Sequence, residues 1–441
     1  MRPVLIRGGR VIDPAQSLDQ VSDVLLRDGL VAAVGPNLAS DEAEVIEAAE
    51  QVVSPGFIDL HCHLRQPGYE DKETIATGTA AAAAGGFTTV CCMPNTKPVL
   101  DVAPVLEALA RTVAAEGRVR VHPIAAVTRE QAGRELVEMA ELADVGVVGF
   151  SDDGSCVADS GVMRRALEYS LLVRRPIIQH AEDTALSRDG VMHEGSVSAR
   201  LGLPGWPGPA EEVIVARDIA LAEITGAHVH VAHVSSAGSV DLIRRAKEQG
   251  LHVTAEVTPH HLTLTDDLVA GHWWSATASL PPFDTRTKVN PPLRPREDVD
   301  ALIAGLRDGT IDAIATDHAP HTTTDKECEY DQAAFGISVL ETALGSVMSL
   351  VQAEKLPLAR AVEALTSDAA KVFGLPGGSL EVGSAADVTI VDPEREWCVD
   401  TGRFRSLGRN TPLDGVFLPA QVTHTLVGGE LVFRLDDEVA P

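Results

Sequence analysis

The chain has 441 residues, of which 45% are apolar and 23% are charged, as in an ordinary soluble globular protein. Its formal net charge of -28 at pH 7 excludes a nucleic-acid binder, because such a protein needs a basic surface to displace counterions. No apolar run approaches the ~18 residues of a membrane helix and no secretory signal is visible, so we expect a cytoplasmic protein without a membrane partner.

Both ends of the chain alternate apolar and polar residues, which is typical of β-strands. Neither end is long enough to form a good sandwich alone. We therefore predict one small β-sandwich domain that residues 1–55 and 385–441 build together. Turns are predicted at three pairs, Gly8-Gly9, Asp28-Gly29 and Gly428-Gly429.

Between the two ends, short β-rich runs alternate with stretches such as APVLEALARTVAAEG, whose apolar residues recur at helical spacing. The eight runs are FIDL (57–60), TTVCC (88–92), RVHPIAA (120–126), GVVGF (146–150), PIIQ (176–179), HVHVAH (228–233), HVTAEV (252–257) and IDAIA (311–315). Eight β/α units predict an α/β fold with a (β/α)8 TIM-like barrel over residues 56–384. The functional site of such a barrel lies at the carboxyl ends of its strands.

Side chains that bind metals lie just beyond several of these runs. They are His61, His63, Asp153, His180, His233 and Asp317. On an extended strand, residues i and i+2 share one face, so His61 and His63 can reach the same ion. Imidazole and carboxylate groups are ligands that borderline divalent metals prefer. Because six ligands exceed the need of one tetrahedral ion, the pattern predicts two metals with a shared ligand, which is a hydrolytic arrangement.

The residues alone leave several roles open. FSDDG offers Asp152 and Asp153, and only one of them need face the barrel mouth, since Asp-Asp-Gly is also good turn chemistry. Asp317 can accept a proton from water, or it can cap a helix. Arg65 suits a substrate carboxylate, with a surface salt bridge as the alternative. Asn95 is a further polar candidate at a strand end, and Arg294 a weaker one in VNPPLR.

Eight strings in the chain match those of a known family in its order and over nearly the whole length. They are PGFIDLHCHLRQPGYEDKETIATGTAAAAAGGFTTVCCMPNT, FSDDG, QHAED, VAHVSS, EVTPHHL, KVNPPLR, ATDHAPH and GRNTPL. On these strings the chain resembles the bacterial long-type dihydroorotases of the amidohydrolase superfamily. The resemblance implies the reversible, zinc-dependent cyclisation of N-carbamoyl-L-aspartate to L-dihydroorotate and water, a step of de novo pyrimidine (UMP) biosynthesis.

The same resemblance implies roles for particular residues. The six metal ligands named above would bind two zinc ions per chain, and Asp317 would also be catalytic. Arg65, Asn95 and His321 would contact the substrate carboxylate. Asn290 and the backbone near Gly336 would contact the pyrimidine ring.

One departure from related sequences concerns the group that bridges the metals. Hydantoinases and many dihydroorotases use a carboxylated lysine, but no lysine lies between residues 134 and 164 of this chain. By resemblance the bridging position is Asp153, which indicates the aspartate-bridged subgroup and argues against a hydantoinase. The choice of Asp153 over Asp152 rests on the resemblance alone.

Two rival functions stand beside this interpretation. A dihydropyrimidinase or allantoinase is disfavoured by Arg65, Asn95 and the missing lysine. A non-catalytic subunit that scaffolds aspartate transcarbamoylase is expected to have lost metal ligands, and this chain keeps all six. We expect a homo-oligomer such as a dimer, and the sequence leaves an association with aspartate transcarbamoylase open.

Two further segments concern the barrel mouth. Residues 271–287 are longer than in the short members of the family that the chain resembles, and we expect them to form an extended loop after the seventh strand. The aromatic pair Trp273 and Trp274 in this loop is a candidate lid element, oligomer contact or loop core. Residues 318–336 are a candidate for closure over the substrate.

Overall fold

The computed structural model describes residues 2–39, 42–272 and 280–435, so Trp273 and Trp274 lie outside the described residues. The strands are β1 (Val4–Asp13), β2 (Leu18–Arg27), β3 (Leu30–Gly35), β4 (Glu44–Glu47), β5 (Val52–Pro55), β6 (Phe57–Cys62), β7 (Phe87–Cys92), β8 (Arg120–Pro123), β9 (Phe150–Ser151), β10 (Ile177–Gln179), β11 (Met192–His193), β12 (Gly205–Trp206), β13 (Val229–Val231), β14 (Val253–Val257), β15 (Ala313–Ile314), β16 (Val388–Asp392), β17 (Trp397–Cys398), β18 (Phe417–Leu418), β19 (Gln421–Val427) and β20 (Glu430–Arg434).

The α-helices alternate with the strands in the central part of the chain. They are α1 (Ile75–Ala84), α2 (Ala103–Glu116), α3 (Met139–Val145), α4 (Ser160–Val173), α5 (Thr184–Ser187), α6 (Ser196–Leu201), α7 (Pro209–Thr225), α8 (Ala237–Glu248), α9 (Pro259–Thr263), α10 (Arg296–Asp308), α11 (Thr323–Lys326), α12 (Ala343–Gln352), α13 (Leu358–Leu365) and α14 (Ser367–Phe373). Across the described ranges, none of these helices is long and apolar enough to cross a membrane.

The parallel strands of the central part form a ring. One sheet has the order β6-β7-β8 and the other has the order β9-β10-β13-β14-β15. Parallel bridges from Ala125 to Phe150 and from Cys62 to His318 join the two sheets at both edges. The predicted α/β fold with an eight-stranded barrel is therefore confirmed.

Apolar side chains make up much of the barrel interior, where they lie beside the buried polar pair Glu256 and His230. Ile58, Cys91 and Ile178 pack in one cluster with Phe373 of α14 and with Leu375. A larger cluster lies between the strands and the surrounding helices. Since each buried large apolar side chain contributes about 1.5–3 kcal/mol, these two layers hold the strand ends in fixed positions.

The two ends of the chain form one mixed sheet with the order β20-β19-β16-β5-β1-β2-β3, and β4 pairs with β1. β5 and β16 join the ends through antiparallel pairing, with Pro55 opposite Val388. The prediction that the two ends of the chain fold together is therefore confirmed, and what they form is one mixed β-sheet. Because β5 ends at Pro55 and β6 begins at Phe57, this sheet is connected directly to the first barrel strand.

Two local predictions need correction. Gly8-Gly9 is not a turn, because β1 continues through it with a bulge between Ile6 and Gly9. Gly8 has a φ of 71°, and a Cβ on Gly9 would lie 2.4 Å from Val53 Cγ2, so both glycines serve the bulge and its packing. The fourth barrel strand is limited to Phe150–Ser151, so it begins four residues later than the predicted run 146–150.

Candidate metal centre

His61, His63 and Asp317 meet at the barrel mouth and form the first of two ligand groups. His61 and His63 lie at the end of β6, and Asp317 follows β15, the neighbouring strand in the ring. Asp317 Oδ1 lies 3.1 Å from His63 Nε2 and 3.5 Å from His61 Nε2. One atom from each residue could therefore bind a single ion.

His180 and His233 form the second group. His180 Nδ1 lies 2.9 Å from His233 Nε2. Asp153 Oδ1 lies 3.6 Å from His180 Nδ1 and 3.5 Å from His233 Nε2. The other carboxylate oxygen of Asp153 lies 3.5 Å from His63 Nε2. Asp153 therefore presents one oxygen to each group, and His61 Nε2 also lies 3.3 Å from its Oδ1.

The neighbouring Asp152 faces away from this cluster. Its Oδ1 accepts hydrogen bonds from the backbone amides of Val127 and Thr128, at 2.8 and 2.9 Å. Its Oδ2 accepts a hydrogen bond from the hydroxyl of Thr128. Asp152 thus ties the loop after β8 to β9, while Asp153 reaches the histidines.

The residues present fit divalent cations. Among the described residues, the buried atoms His61 Nε2 and Asp153 Oδ1 have no hydrogen-bond partner. A buried polar atom left without a partner costs about 1–3 kcal/mol, so such atoms are rare unless they face a ligand. The close approach of His180 Nδ1 and His233 Nε2 likewise needs a proton or a cation between two lone pairs.

A second layer of polar groups holds three of the four imidazoles. His61 Nδ1 lies 2.7 Å from Glu256 Oε1 in β14, and His63 Nδ1 lies 2.9 Å from Asn95 Oδ1. His180 Nε2 lies 3.2 Å from Glu182 Oε2. Such partners fix the ring orientation and the nitrogen that is left free for a metal.

The charges of the site match two divalent ions. Four carboxylates touch the histidines, namely Asp153, Asp317, Glu182 and Glu256, and they supply the four negative charges that two such ions would neutralise. Burial alone would raise the pKa of Asp153, but the adjacent imidazoles lower it well below its usual range. Burial would lower the pKa of His180, but the adjacent carboxylates of Asp153 and Glu182 raise it to about 9. Metal binding would therefore displace protons from this cluster.

Arg65, Asn95 and His321 lie beside the ligands. The guanidinium of Arg65 is buried, with Nε 3.2 Å from the carbonyl oxygen of Pro320 and Nη2 3.4 Å from His321 Nε2. His321 Nε2 also lies 2.8 Å from the carbonyl oxygen of Phe335. Burial and the nearby Arg65 lower the pKa of His321 to about 3, so this imidazole is neutral next to the arginine.

Asn290 and Gly336 lie on the two loops that flank the mouth. Asn290 Nδ2 donates to Glu182 Oε2 at 3.2 Å, and its buried Oδ1 has no partner within the described part of the chain. The Gly336 amide donates to the carbonyl of Lys288, and its own carbonyl accepts from Asn410 Nδ2 at 3.0 Å. The Gly336 amide is therefore occupied by the protein, while its carbonyl keeps one free lone pair.

Sequence reasoning missed three residues of this region, Glu256, Glu182 and Asn410. A glutamate inside the buried run HVTAEV is itself a signal, because an isolated charge is rarely buried without a partner. Asn410 joins the loops of the mouth, since its Nδ2 also donates to the carbonyl of Ala319 and its Oδ1 accepts from the His321 amide. Only its motif, GRNTPL, was visible in the sequence.

Comparison with known proteins gives consistent matches. A family model described as dihydro-orotase-like matches residues 50–239, and an amidohydrolase family model matches residues 299–433. The chain is 53% identical over 430 residues to a dihydroorotase of Anaeromyxobacter dehalogenans (strain 2CP-C), covering 97% of each chain. It is 52% identical over 432 residues to a dihydroorotase of Pelotomaculum thermopropionicum, covering 98% of each.

Solved structures agree in fold. The chain is similar to L-hydantoinase (dihydropyrimidinase) from Arthrobacter aurescens, with a TM-score of 0.87 and 25% identity, covering 100% of this chain and 98% of that one. Dihydropyrimidinase from Brevibacillus agri NCHU1002 gives a TM-score of 0.85 at 24% identity, covering 99% and 96%.

Proposed function

This chain belongs to the dihydroorotase family of the amidohydrolases, and from that premise we propose that it interconverts N-carbamoyl-L-aspartate and L-dihydroorotate, with water released on ring closure. The observation that carries the proposal is the position of Asp153 among all four imidazoles: its Oδ2 lies 3.5 Å from His63, and its Oδ1 lies 3.3–3.6 Å from His61, His180 and His233. A two-metal centre of this kind supports hydrolysis, and the dihydroorotase relatives indicate that the substrate class is a cyclic amide. The catalytic barrel of the proposal spans residues 56–384, and residues 1–55 and 385–441 form the smaller domain.

In this proposal His61, His63 and Asp317 would hold one zinc ion, His180 and His233 would hold the second, and Asp153 would be the ligand common to both. Such a centre would be typical of the aspartate-bridged subgroup. Two ions held there would lower the pKa of a water from ~15.7 toward ~7 and polarise the amide carbonyl.

Asp317 moves the proton in the ring-opening direction. Burial would raise its pKa, but the hydrogen bond from His63 and the neighbouring imidazoles lower it, so the carboxylate is ionised at neutral pH. Its Oδ2 accepts no hydrogen bond from a described residue and is free to take the proton of the attacking water. Asp317 then gives that proton to the ring nitrogen as the carbon–nitrogen bond breaks.

Arg65 and Asn95 hold the substrate carboxylate that does not react. The Arg65 guanidinium is a planar cation that matches a carboxylate, and Asn95 keeps both protons of Nδ2 for the substrate because its Oδ1 is bonded to His63. Binding of the carboxylate by these two side chains fixes which carbonyl of the ring faces the metal centre. His321, whose Nε2 lies 3.4 Å from Arg65 Nη2, contributes from the same side as Arg65, and Asn290 and Gly336 contact the ring.

A substrate panel tests the proposal. Purified zinc-loaded protein should open the ring of L-dihydroorotate, which is measured as a loss of ultraviolet absorbance. The protein should act far more slowly on dihydrouracil, hydantoin and allantoin. The last three rings lack the carboxylate that Arg65 would bind. A preference for any of these neutral rings would favour the dihydropyrimidinase or allantoinase alternative instead.

The proposal also covers the location of the enzyme in the cell, its oligomeric state and its association with another protein. We place the reaction in the cytoplasm and expect a homo-oligomer such as a dimer. An active enzyme that also associates with aspartate transcarbamoylase is compatible with this site. Size-exclusion chromatography with light scattering, alone and with the transcarbamoylase, measures both assemblies.

A further inference from the structure

Glu182 connects the metal centre to the substrate side of the mouth. It lies two residues after His180, in the motif QHAED, and its side chain is largely buried. Its Oε2 lies 3.2 Å from His180 Nε2 and 3.2 Å from Asn290 Nδ2. Its Oε1 accepts a hydrogen bond from Ser187 Oγ at 2.5 Å. One carboxylate oxygen thus joins two residues that are 110 positions apart in the sequence.

The chemistry of a carboxylate restricts both neighbours. An ionised carboxylate only accepts hydrogen bonds, so a neutral His180 must carry its one proton on Nε2 and leave the Nδ1 lone pair toward Asp153 and His233. For the same reason Asn290 must turn its NH₂ group to Glu182. The Asn290 Oδ1 then points elsewhere, where it is buried without a partner among the described residues.

A buried acceptor of this kind suits a ligand that brings an N–H group. Leaving the Asn290 oxygen unpaired costs about 1–3 kcal/mol, which a donor from a bound ligand would recover. The ring of L-dihydroorotate carries N–H groups, and so does the ureido group of N-carbamoyl-L-aspartate. An amide turned the other way would present a donor and would repel the same N–H.

We propose that Glu182 is a positioning residue that sets both the metal-binding nitrogen of His180 and the acceptor orientation of Asn290. The inference rests on the proposed function, since it assumes metals at His180 and a cyclic amide at Asn290. Glu182 is then also a determinant of substrate specificity, because it orients Asn290 so that Oδ1 accepts a hydrogen bond from an N–H group of the substrate.

Two substitutions of Glu182 separate its two effects. Glu182→Leu removes the acceptor and the charge, so both neighbours lose their orientation. Glu182→Gln removes only the charge, because its carbonyl oxygen can accept from both donors while its amide donates to Ser187. Glu223→Leu is the matched control, because Glu223 is an exposed glutamate of α7 without a hydrogen bond to a described residue.

Two quantities are measured for each variant. The KM for L-dihydroorotate is determined at saturating zinc, so that metal loss does not affect it, and zinc affinity is determined without substrate by competition with a chelating dye. Glu182→Leu should raise KM about 10-fold, the equivalent of one lost hydrogen bond, and lower zinc affinity about 10–100-fold. Glu182→Gln should restore KM to near the wild-type value while zinc affinity stays reduced.

The results also separate this inference from the proposed function. If Glu182→Leu matched Glu223→Leu in both quantities, the inference would be overturned although the wild type still turned over. A loss of zinc affinity with an unchanged KM would overturn the link to Asn290. Wild-type protein that bound zinc but opened no dihydroorotate would overturn the proposed function, and with it the Asn290 half of the inference.

Discussion

The imidazole of His61 and the carboxylate of Glu256 are joined by a 2.7 Å hydrogen bond inside the barrel, between strands that lie 195 residues apart in the sequence. Glu256 Oε2 lies 3.1 Å from His230 Nε2, and His230 Nδ1 lies 2.8 Å from Thr254 Oγ1. The orientation of His61 is therefore set by the barrel interior as well as by its own strand. Both carboxylate oxygens of Glu256 and both ring nitrogens of His230 have a partner in this row of residues, which keeps Glu256 in one position.

Glu256→Gln should weaken metal binding without unfolding the barrel. Glutamine can still accept from His61 Nδ1 and donate to His230, but it removes the negative charge that favours a cation at His61. We expect zinc affinity to fall about 10-fold or more, measured by chelator competition, because partners of metal-bound histidines have effects of this size. Glu248→Gln, at an exposed glutamate of α8, is the control, and equal zinc affinities in the two variants would contradict this role.

The adjacent residues Asp152 and Asp153 should behave in opposite ways. Asp153→Asn removes the charge and one oxygen from the position between the two imidazole groups, so the protein should hold at most one zinc ion per chain. Asp152→Asn should retain two ions but lower the free energy of unfolding by about 1–3 kcal/mol, because it weakens bonds to the loop at Val127 and Thr128. Zinc content and urea unfolding measure the two effects, and two ions in Asp153→Asn would be the contrary result.

The barrel strands and most of the metal-binding residues were predictable from the sequence, because apolar runs mark the strands and the polar residues of the site directly follow them. Apolar runs gave the positions of the barrel strands, and the polar residues that follow them, such as His61 and Asp317, were expected at one end of the barrel. Contacts between distant segments were not predictable in this way. The orientation of Asp152 depends on backbone amides 24 and 25 residues earlier, and Glu256 looked like part of an apolar strand.

At the two ends of the chain, the strands were likewise predictable, but a contact between separate segments was not. Alternating residues indicated strands, and the mutual pairing of the two ends followed from their short length. The sequence analysis predicted a turn at Gly8-Gly9, where the structure has a bulge, because paired glycines are common in turns and in bulges. Only the packing of Gly9 against Val53 distinguishes the bulge from a turn.

Asp317→Asn should abolish most turnover while the fold persists. The amide cannot accept a proton at neutral pH, so ring opening loses its proton acceptor. We expect kcat for L-dihydroorotate to fall by roughly 10²–10⁴-fold, as is usual when a general base is removed. Thermal unfolding of the variant reports on the fold, and near-normal kcat in a folded, zinc-loaded sample would show that another group moves the proton.

Arg65→Met should mainly impair substrate capture. Losing charge-assisted hydrogen bonds worth about 1.5–3 kcal/mol should raise KM for L-dihydroorotate by roughly 10- to 150-fold. Slow turnover of dihydrouracil, which lacks the carboxylate, should change little. If both rings lost activity to the same extent, Arg65 would act on something other than the carboxylate.

His228 should contribute less to the stability of the metal-free protein as the pH falls below 6.5. Burial, together with His252 and His230, lowers the pKa of His228 from 6.5 to about 3 in the folded chain. Between these two values the unfolded chain binds a proton that the folded chain does not, so the stabilisation is complete above pH 6.5 and declines toward pH 3. Burial lowers the pKa of His261 and of His193 to about 4, with the same sign.

Urea unfolding of metal-free wild type and His228→Gln at a series of pH values measures this effect. The free energy of unfolding should decrease less steeply with falling pH in the variant, because one protonation site of the unfolded chain has been removed. Parallel curves for the two proteins would mean that His228 is not held neutral by the fold.

The most direct measurement is a zinc titration of the metal-free enzyme with the rate of L-dihydroorotate ring opening as the readout. The two groups of imidazoles that share Asp153 predict negligible turnover without metal and a rate that reaches its plateau at two zinc ions per chain. Full turnover after rigorous chelation, or no turnover in folded protein that has bound two zinc ions, would contradict the account.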